Sequence, residues 1–120
     1  MEDMSDKVIG AAIEVHKILG PGLLESIYEE ALCIEFAIRD IPFERQKEVD
    51  IVYKGNVIKG QRIDILVNGN LVVELKAVVK LQEFATAQTL SYLKATGLKN
   101  ALLINFTEKR LVDGLKRISL

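Results

Sequence analysis

Apolar residues along the chain switch between helical and strand spacing, and the switches mark out its elements. From Ser5, a candidate N-cap, to about Leu19, the residues Val8, Ile9, Ala12, Ile13, Val15 and Leu19 recur at helical spacing. Gly20-Pro21-Gly22 ends this helix, and a second runs from about Leu23 to Arg39. Its predicted inward stripe is Leu24, Ile27, Tyr28, Ala31, Ile34 or Glu35, and Ile38, with Glu29 and Glu30 in solvent. After Ile41-Pro42 the period shortens. Strands are predicted from Lys47 to Tyr53, from Val57 to Val67 with an irregularity near Gly60, and from Leu71 to about Val78. Helical spacing returns from Gln82 to Thr96, where Leu81, Phe84, Gln88, Tyr92 and Ala95 form one face. Gly97 ends that helix. Ala101 to Phe106 is nearly continuous in apolar residues, as in a strand covered on both faces. Reached through a helix, it should pair in parallel by a right-handed crossover. Glu108 to Arg117 predicts a short terminal helix, with Leu111, Leu115 and Ile118 covering the sheet edge or meeting a second subunit. The pattern is therefore α/β (α+β): an antiparallel meander plus a crossover strand, flanked by helices.

The strands on either side of Asn68-Gly69-Asn70 carry three ionisable residues, Asp64, Glu74 and Lys76. Each such group in a sheet interior costs several kcal/mol, roughly, unless it is paired, metal-bound or open to a cleft. A three-residue loop sets Val67 opposite Leu71 and Asp64 opposite Glu74, with Cβ atoms about 5 Å apart. A two-residue turn would set Asp64 opposite Val73 instead. Glu74 and Lys76 share a face in either register. Two facing carboxylates need a proton or a cation between them, and an oxygen-only pair suits Mg²⁺ or Mn²⁺. A lysine beside them can polarise water or face a phosphate. The other reading of the three residues is a structural ion pair with a charge at the strand end.

Other candidates are open to both kinds of reading. Glu25 in a first helical turn either answers the helix dipole or delivers a third carboxylate to the sheet, with Tyr28 beside it. Gln88, inside an apolar face and one turn from Tyr92, bonds either to backbone or to groups at a site. His16 lies near the first apolar stripe and reads as a packing or hydrogen-bonding residue. Cys33, the one cysteine, reads as a buried thiol.

Length and composition narrow the classes. The 120 residues predict one domain, 1–120, and 49% apolar with 28% charged residues is ordinary for a globular protein. No apolar run is long enough to span a membrane, and the start MEDMSDK lacks a signal-peptide shape, so a soluble cytoplasmic protein is expected. The net charge of -1 argues against a general nucleic-acid coating protein. Residues 1–75 hold 14 acidic and 8 basic side chains and residues 76–120 hold 3 and 8, so the basic surplus follows the carboxylates. There is no phosphate-binding glycine loop and no zinc spacing.

Gly22-Leu23-Leu24-Glu25-Ser26-Ile27-Tyr28 matches a GxxExxY motif, and EVHKILGPGLLESIYEEAL resembles the opening of GxxExxY family proteins. That family is similar to the PD-(D/E)xK nuclease-like superfamily, and the resemblance covers nearly the whole chain. It implies a restriction-endonuclease-like core in which Asp64 corresponds to the first metal carboxylate and Glu74-Leu75-Lys76 to the ExK element. Glu25 corresponds to the acidic residue of the preceding helix, and Gln88 to Tyr92 looks like a QxxxY motif. Relatives often carry a histidine where this chain has Ala85. The resemblance implies Mg²⁺ or Mn²⁺ held by Asp64, Glu74, the Leu75 carbonyl and Glu25, with Lys76 acting on water or phosphate and Gln88 and Tyr92 positioning the substrate. The implied activity is hydrolysis of DNA, with RNA not excluded. The alternative is a catalytically inactive interaction module acting as a homodimer or complex subunit.

Overall fold

A buried parallel pair holds the centre of the sheet. In the computed structural model, which describes residues 3–81 and 83–120, β3 (Leu71–Lys76) lies parallel to β4 (Asn100–Asn105). Both are almost wholly buried, as continuous apolar runs require. The helix α3 (Glu83–Thr96) makes the crossover between them; the predicted first residue of that helix, Gln82, lies outside the described residues. Antiparallel to β3 runs β2 (Asn56–Val67), followed outward by β1 (Phe43–Tyr53), which begins earlier than its apolar residues suggest. The β1–β2 pairing shifts register between Val49 and Ile51, opposite Gly60, where φ is 121°.

The helices α1 (Ser5–Leu19) and α2 (Glu25–Ile38) pack their buried residues with β2, β3 and β4 in one cluster, and α3 builds a second with the opposite face. This mixed sheet between helical layers is a restriction-endonuclease-like α/β core. Among the described residues no helix is long and apolar enough to cross a membrane.

Four local expectations are corrected. Ser5 is the first helical residue rather than the cap; its amide and hydroxyl both donate to Asp3 Oδ1, at 2.9 and 2.7 Å. On α2 the inward residues are Tyr28, Glu29, Leu32, Cys33 and Phe36, whereas Leu24, Ile27, Ile34 and Ile38 face out. Both stripes are apolar, and periodicity alone does not rank them. On α3 the inward residues are Ala85, Thr89, Tyr92 and Leu93, leaving Phe84 and Ala95 exposed. The predicted terminal helix is a 3-10 turn at Leu111–Gly114 followed by β5 (Leu115–Ser119), antiparallel to β4. A Cβ on Gly114 would lie 2.2 Å from the Asn105 carbonyl oxygen, so only glycine allows this approach. Leu111 and Ile118 still cover the β4 edge, but from a turn and a strand.

Candidate active site

The turn after β2 sets the geometry of the carboxylates. Asn68 and Gly69 have φ of 54° and 70°, the Asn70 amide donates to the Val67 carbonyl at 3.1 Å, and Val67 faces Leu71. This is the three-residue loop, and its register carries Asp64 to the level of Glu74. The backbone ladder between β2 and β3 stops one pair short, at Ile65 and Val73. Beyond it the carboxylates take over: the Asp64 amide donates to Glu74 Oε1 at 3.0 Å, and the Leu75 amide donates to Asp64 Oδ2 at 2.9 Å. Each acidic side chain therefore satisfies a backbone donor that the parting strands would leave unpaired, and is itself oriented by that bond.

Asp64 also sits at a twist. Alternation along the strand would put Ile63 and Ile65 on one face, yet Ile63 packs in the α3-side cluster and Ile65 in the other. Across the ladder, Gln46 takes a left-handed φ of 50°. The twist leaves Asp64 half-buried, while Glu74 is only 2% exposed.

Burial pushes the Glu74 carboxyl well above the usual carboxylate range. The Asp64 charge and a side-chain hydrogen bond to Asp64 add to the rise; the bond from the Asp64 amide and the charge of Lys76 oppose it. The neutral form of Glu74 is thereby favoured in the absence of a cation. Lys76 ends β3, half-buried, and its Nζ lies 3.5 Å from Gln88 Oε1, at the outer limit of a hydrogen bond. Tyr92, one turn along α3, is nearly fully buried and donates to Gln61 Oε1 at 3.1 Å. Burial first, then the Glu74 and Asp64 charges, push its hydroxyl up to about 12, so it is a donor rather than a phenolate. Ala85 lies in the packed layer beneath α3.

Glu25 reaches the same region from α2. Its carboxyl is raised by burial, lowered by the Lys76 charge, and raised by Asp64 and Glu29. Tyr28 has a different task from the one its spacing suggests. Its hydroxyl donates to the Gly20 carbonyl at 2.5 Å and accepts from the Leu23 amide at 3.1 Å, while its ring stacks on Phe106 with centroids 4.5 Å apart. Tyr28 therefore clamps the Gly20–Leu23 turn and fixes where α2, and Glu25 with it, begins.

Two further groups were not legible from spacing. Glu29, expected in solvent, is buried; its Oε2 accepts from Arg45 Nε and Nη2 at 3.2 and 3.0 Å, and its Oε1 from Gln46 Nε2 at 2.9 Å. Asn105, buried within β4, binds the Val78 amide and carbonyl at 3.1 and 2.9 Å. Together with the Phe106 amide on the Lys76 carbonyl, at 2.9 Å, it ties down the chain just after Lys76. A polar residue in an apolar run was the available signal for Asn105. His16 hydrogen-bonds through Nε2 with the Glu108 carbonyl at 2.8 Å, and Cys33 is a buried thiol raised by burial to about 11. Neither joins the site.

The donor set can be tested against a metal. Among the described residues no three His, Cys, Asp or Glu side chains form a group that could hold an ion. The site offers two carboxylates, with the Leu75 carbonyl directly after Glu74 in the chain and Glu25 in electrostatic reach. That set does not suit zinc, but it suits Mg²⁺ or Mn²⁺, since Mg²⁺ keeps several waters and takes one or two carboxylates.

No curated protein and no solved structure matches this chain. The family comparison does match, over residues 2–118, nearly the full length. With the mixed sheet and the sequence match in agreement, this chain belongs to the PD-(D/E)XK nuclease superfamily.

Proposed function

We propose that this protein is a metal-dependent nuclease of the GxxExxY branch, hydrolysing phosphodiester bonds in DNA. The observation that carries the reading is the Asp64–Glu74 pair, set face to face at the point where the β2–β3 ladder parts, with Lys76 on the same strand face. Asp64, Glu74 and the Leu75 carbonyl would hold Mg²⁺ or Mn²⁺, with Glu25 bound directly or through water. The ion supplies acidified water and charge stabilisation for the scissile phosphate. Lys76 orients the water or offsets phosphate charge, Gln88 holds Lys76, and Tyr92 donates at the rim of the site. A groove of about 500 Å³ between β1 and α3, lined by Asp50, Ile51, Val52, Ser91, Lys94 and Ala95, lies on the α3 side of the sheet. The reading sets the protein in the cytoplasm, in keeping with a free thiol at Cys33.

The test is hydrolysis of end-labelled single- and double-stranded DNA and RNA with Mg²⁺ or Mn²⁺, beside an Asp64→Ala, Glu74→Ala double variant. The parent alone should cleave. Lys76→Ala should lose roughly 10³-fold or more while calorimetry still detects the ion. A folded parent that cleaves nothing overturns the reading, as does full activity in Lys76→Ala. The second reading, an inactive module that acts by self-association or in a complex, is favoured by the exposed aliphatic face of α2.

A further inference from the structure

Gln61 is an exposed polar residue of β2 that is held from beneath. Its Oε1 accepts the Tyr92 hydroxyl at 3.1 Å, and Tyr92 is nearly fully buried between α3 and the sheet. Among the described residues the Gln61 amide nitrogen has no partner. One end of the amide is thus fixed by the core while the other is open.

The irregularity at Gly60 brings this side chain to the α3 face. Gln61 pairs with Val49 and Ile58 with Ile51, and Val49 and Ile51 both pack with the α3-side cluster. Residues directly opposed on neighbouring strands share a face. Gln61 and Ile58 therefore lie on one face although they are three positions apart, which strict alternation forbids. The extra residue on β2, at Gly60 with its φ of 121°, resets the alternation. Without it Gln61 would point away from Tyr92.

Gln61 also stands beyond the end of the β2–β3 ladder, which closes at Ile65 and Val73, and only three residues before Asp64. The hydroxyl that holds it feels the charges of both Glu74 and Asp64, so the amide lies in the neighbourhood of the carboxylate pair. As an acceptor for Tyr92 a carboxylate would serve as well. What the amide adds is a pair of N–H donors, and the bond through Oε1 turns them away from Tyr92. A lysine or arginine at this place would pair with the carboxylates themselves. A neutral donor stays available for an anion brought in beside them, and amide donors bind phosphate oxygens without reading sequence.

We propose that Gln61 is a substrate contact of the nuclease site, donating from Nε2 to a phosphate oxygen of the bound DNA strand, and that Tyr92 positions it. The inference rests on the nuclease reading and adds to it a residue of β2 and a sequence-independent contact. Tyr92 then acts on the strand through Gln61 rather than by touching it.

Anisotropy of fluorescein-labelled single- and double-stranded DNA, with Ca²⁺ in place of Mg²⁺, reads binding apart from cleavage; hydrolysis with Mg²⁺ reads KM and kcat. Gln61→Ala should weaken binding and raise KM by about 5–20-fold, with kcat within about two-fold and the loss alike across DNA sequences. Gln61→Glu keeps the acceptor for Tyr92 but sets a charge where the donor was, so it should bind no better than Gln61→Ala. Tyr92→Phe should weaken binding by a few-fold alone and add little to Gln61→Ala. Parent-like binding and KM in Gln61→Glu overturn the proposal, because Gln61 would then serve only to hold Tyr92. Parent-like behaviour of Gln61→Ala does the same, and a loss confined to one DNA sequence assigns the contact to a base edge instead. A parent that binds DNA without cleaving it overturns the nuclease reading, and the binding arm still decides the contact; a folded parent that does neither overturns both. If Tyr92→Phe fails to fold, the Gln61 variants decide, since that side chain is on the surface.

Discussion

Two buried carboxylates, Glu29 and Glu74, are compensated in opposite ways. Glu29 on α2 faces a guanidinium: Arg45 donates twice to one oxygen and Gln46 once to the other. Glu74 on β3 faces another carboxylate; one backbone amide donates to it, and burial beside Asp64 favours its protonated form. The first arrangement is complete and fastens α2 to β1. The second is complete only while the proton stays, or when a cation replaces it. A buried acid beside an acid is costly to keep for stability alone, and that imbalance, rather than burial itself, separates a candidate reactive centre from a structural pair.

Removing Glu29 breaks the comparison on its structural side and should have the largest effect on stability. Glu29→Ala leaves Arg45 and Gln46 without their shared acceptor, but Arg45 is 40% exposed and can rehydrate, which limits the loss. The expected destabilisation is about 2–3 kcal/mol in urea unfolding. A value below about 0.5 kcal/mol would mean that this pair fastens nothing.

Glu74→Gln should have the opposite sign. The folded-state pKa of Glu74 is raised above its ordinary 4.5, so the folded protein binds more protons than the unfolded chain in the window above that value. Stability of the metal-free parent must then fall as pH rises through that window. A glutamine keeps the acceptor for the Asp64 amide and never ionises. It should therefore flatten the decline and exceed the parent in stability at pH 8 by about 1–2 kcal/mol. Thermal melts across pH read this directly. A parent whose melting point rises from pH 5 to pH 8 relative to Glu74→Gln would remove the physical basis of the contrast.

How much of this could be read from the sequence follows the range of the interaction. The Asp64–Glu74 register is local: Asn68-Gly69-Asn70 sets it, and the two residues are only ten positions apart. Lys76 follows by alternation, and β4 announces itself as a continuous apolar run. The Glu29–Arg45 pair spans sixteen residues and a change of element, so Glu29 looks like any solvated acid until α2 is laid on the sheet. The rotation of α2 was hidden for another reason. The helix has two apolar stripes: Tyr28, Leu32, Cys33 and Phe36 meet the core, with Ala31 packed at its edge, while Ile27, Ile34 and Ile38 stay outside it. Leu111, Leu115 and Ile118 have helical spacing, which predicts a helix where the chain forms the 3-10 turn and β5. What fixes that segment is the contact of Gly114 with the Asn105 backbone, which no local pattern contains.

The smallest effect expected belongs to the clamp that joins the two regions. Glu25 and Glu29 lie one turn apart on α2, so whatever sets where that helix begins places both. Tyr28 does this with one hydroxyl, held between the Gly20 carbonyl and the Leu23 amide. Tyr28→Phe keeps the stack on Phe106 and the buried area but removes both bonds. The loss should be about 1–2 kcal/mol, since an amide and a carbonyl each lose a partner near the surface and water can reach part of the gap. Hydrogen exchange locates the damage: the Leu23 amide and the first turn of α2 should exchange faster, with β3 and β4 unchanged. If the clamp also aims Glu25, Tyr28→Phe should weaken Mg²⁺ binding by a few-fold while Glu29→Gln, further along the same face, leaves it nearer the parent. Equal weakening in both would assign the effect to α2 as a whole and not to its first turn.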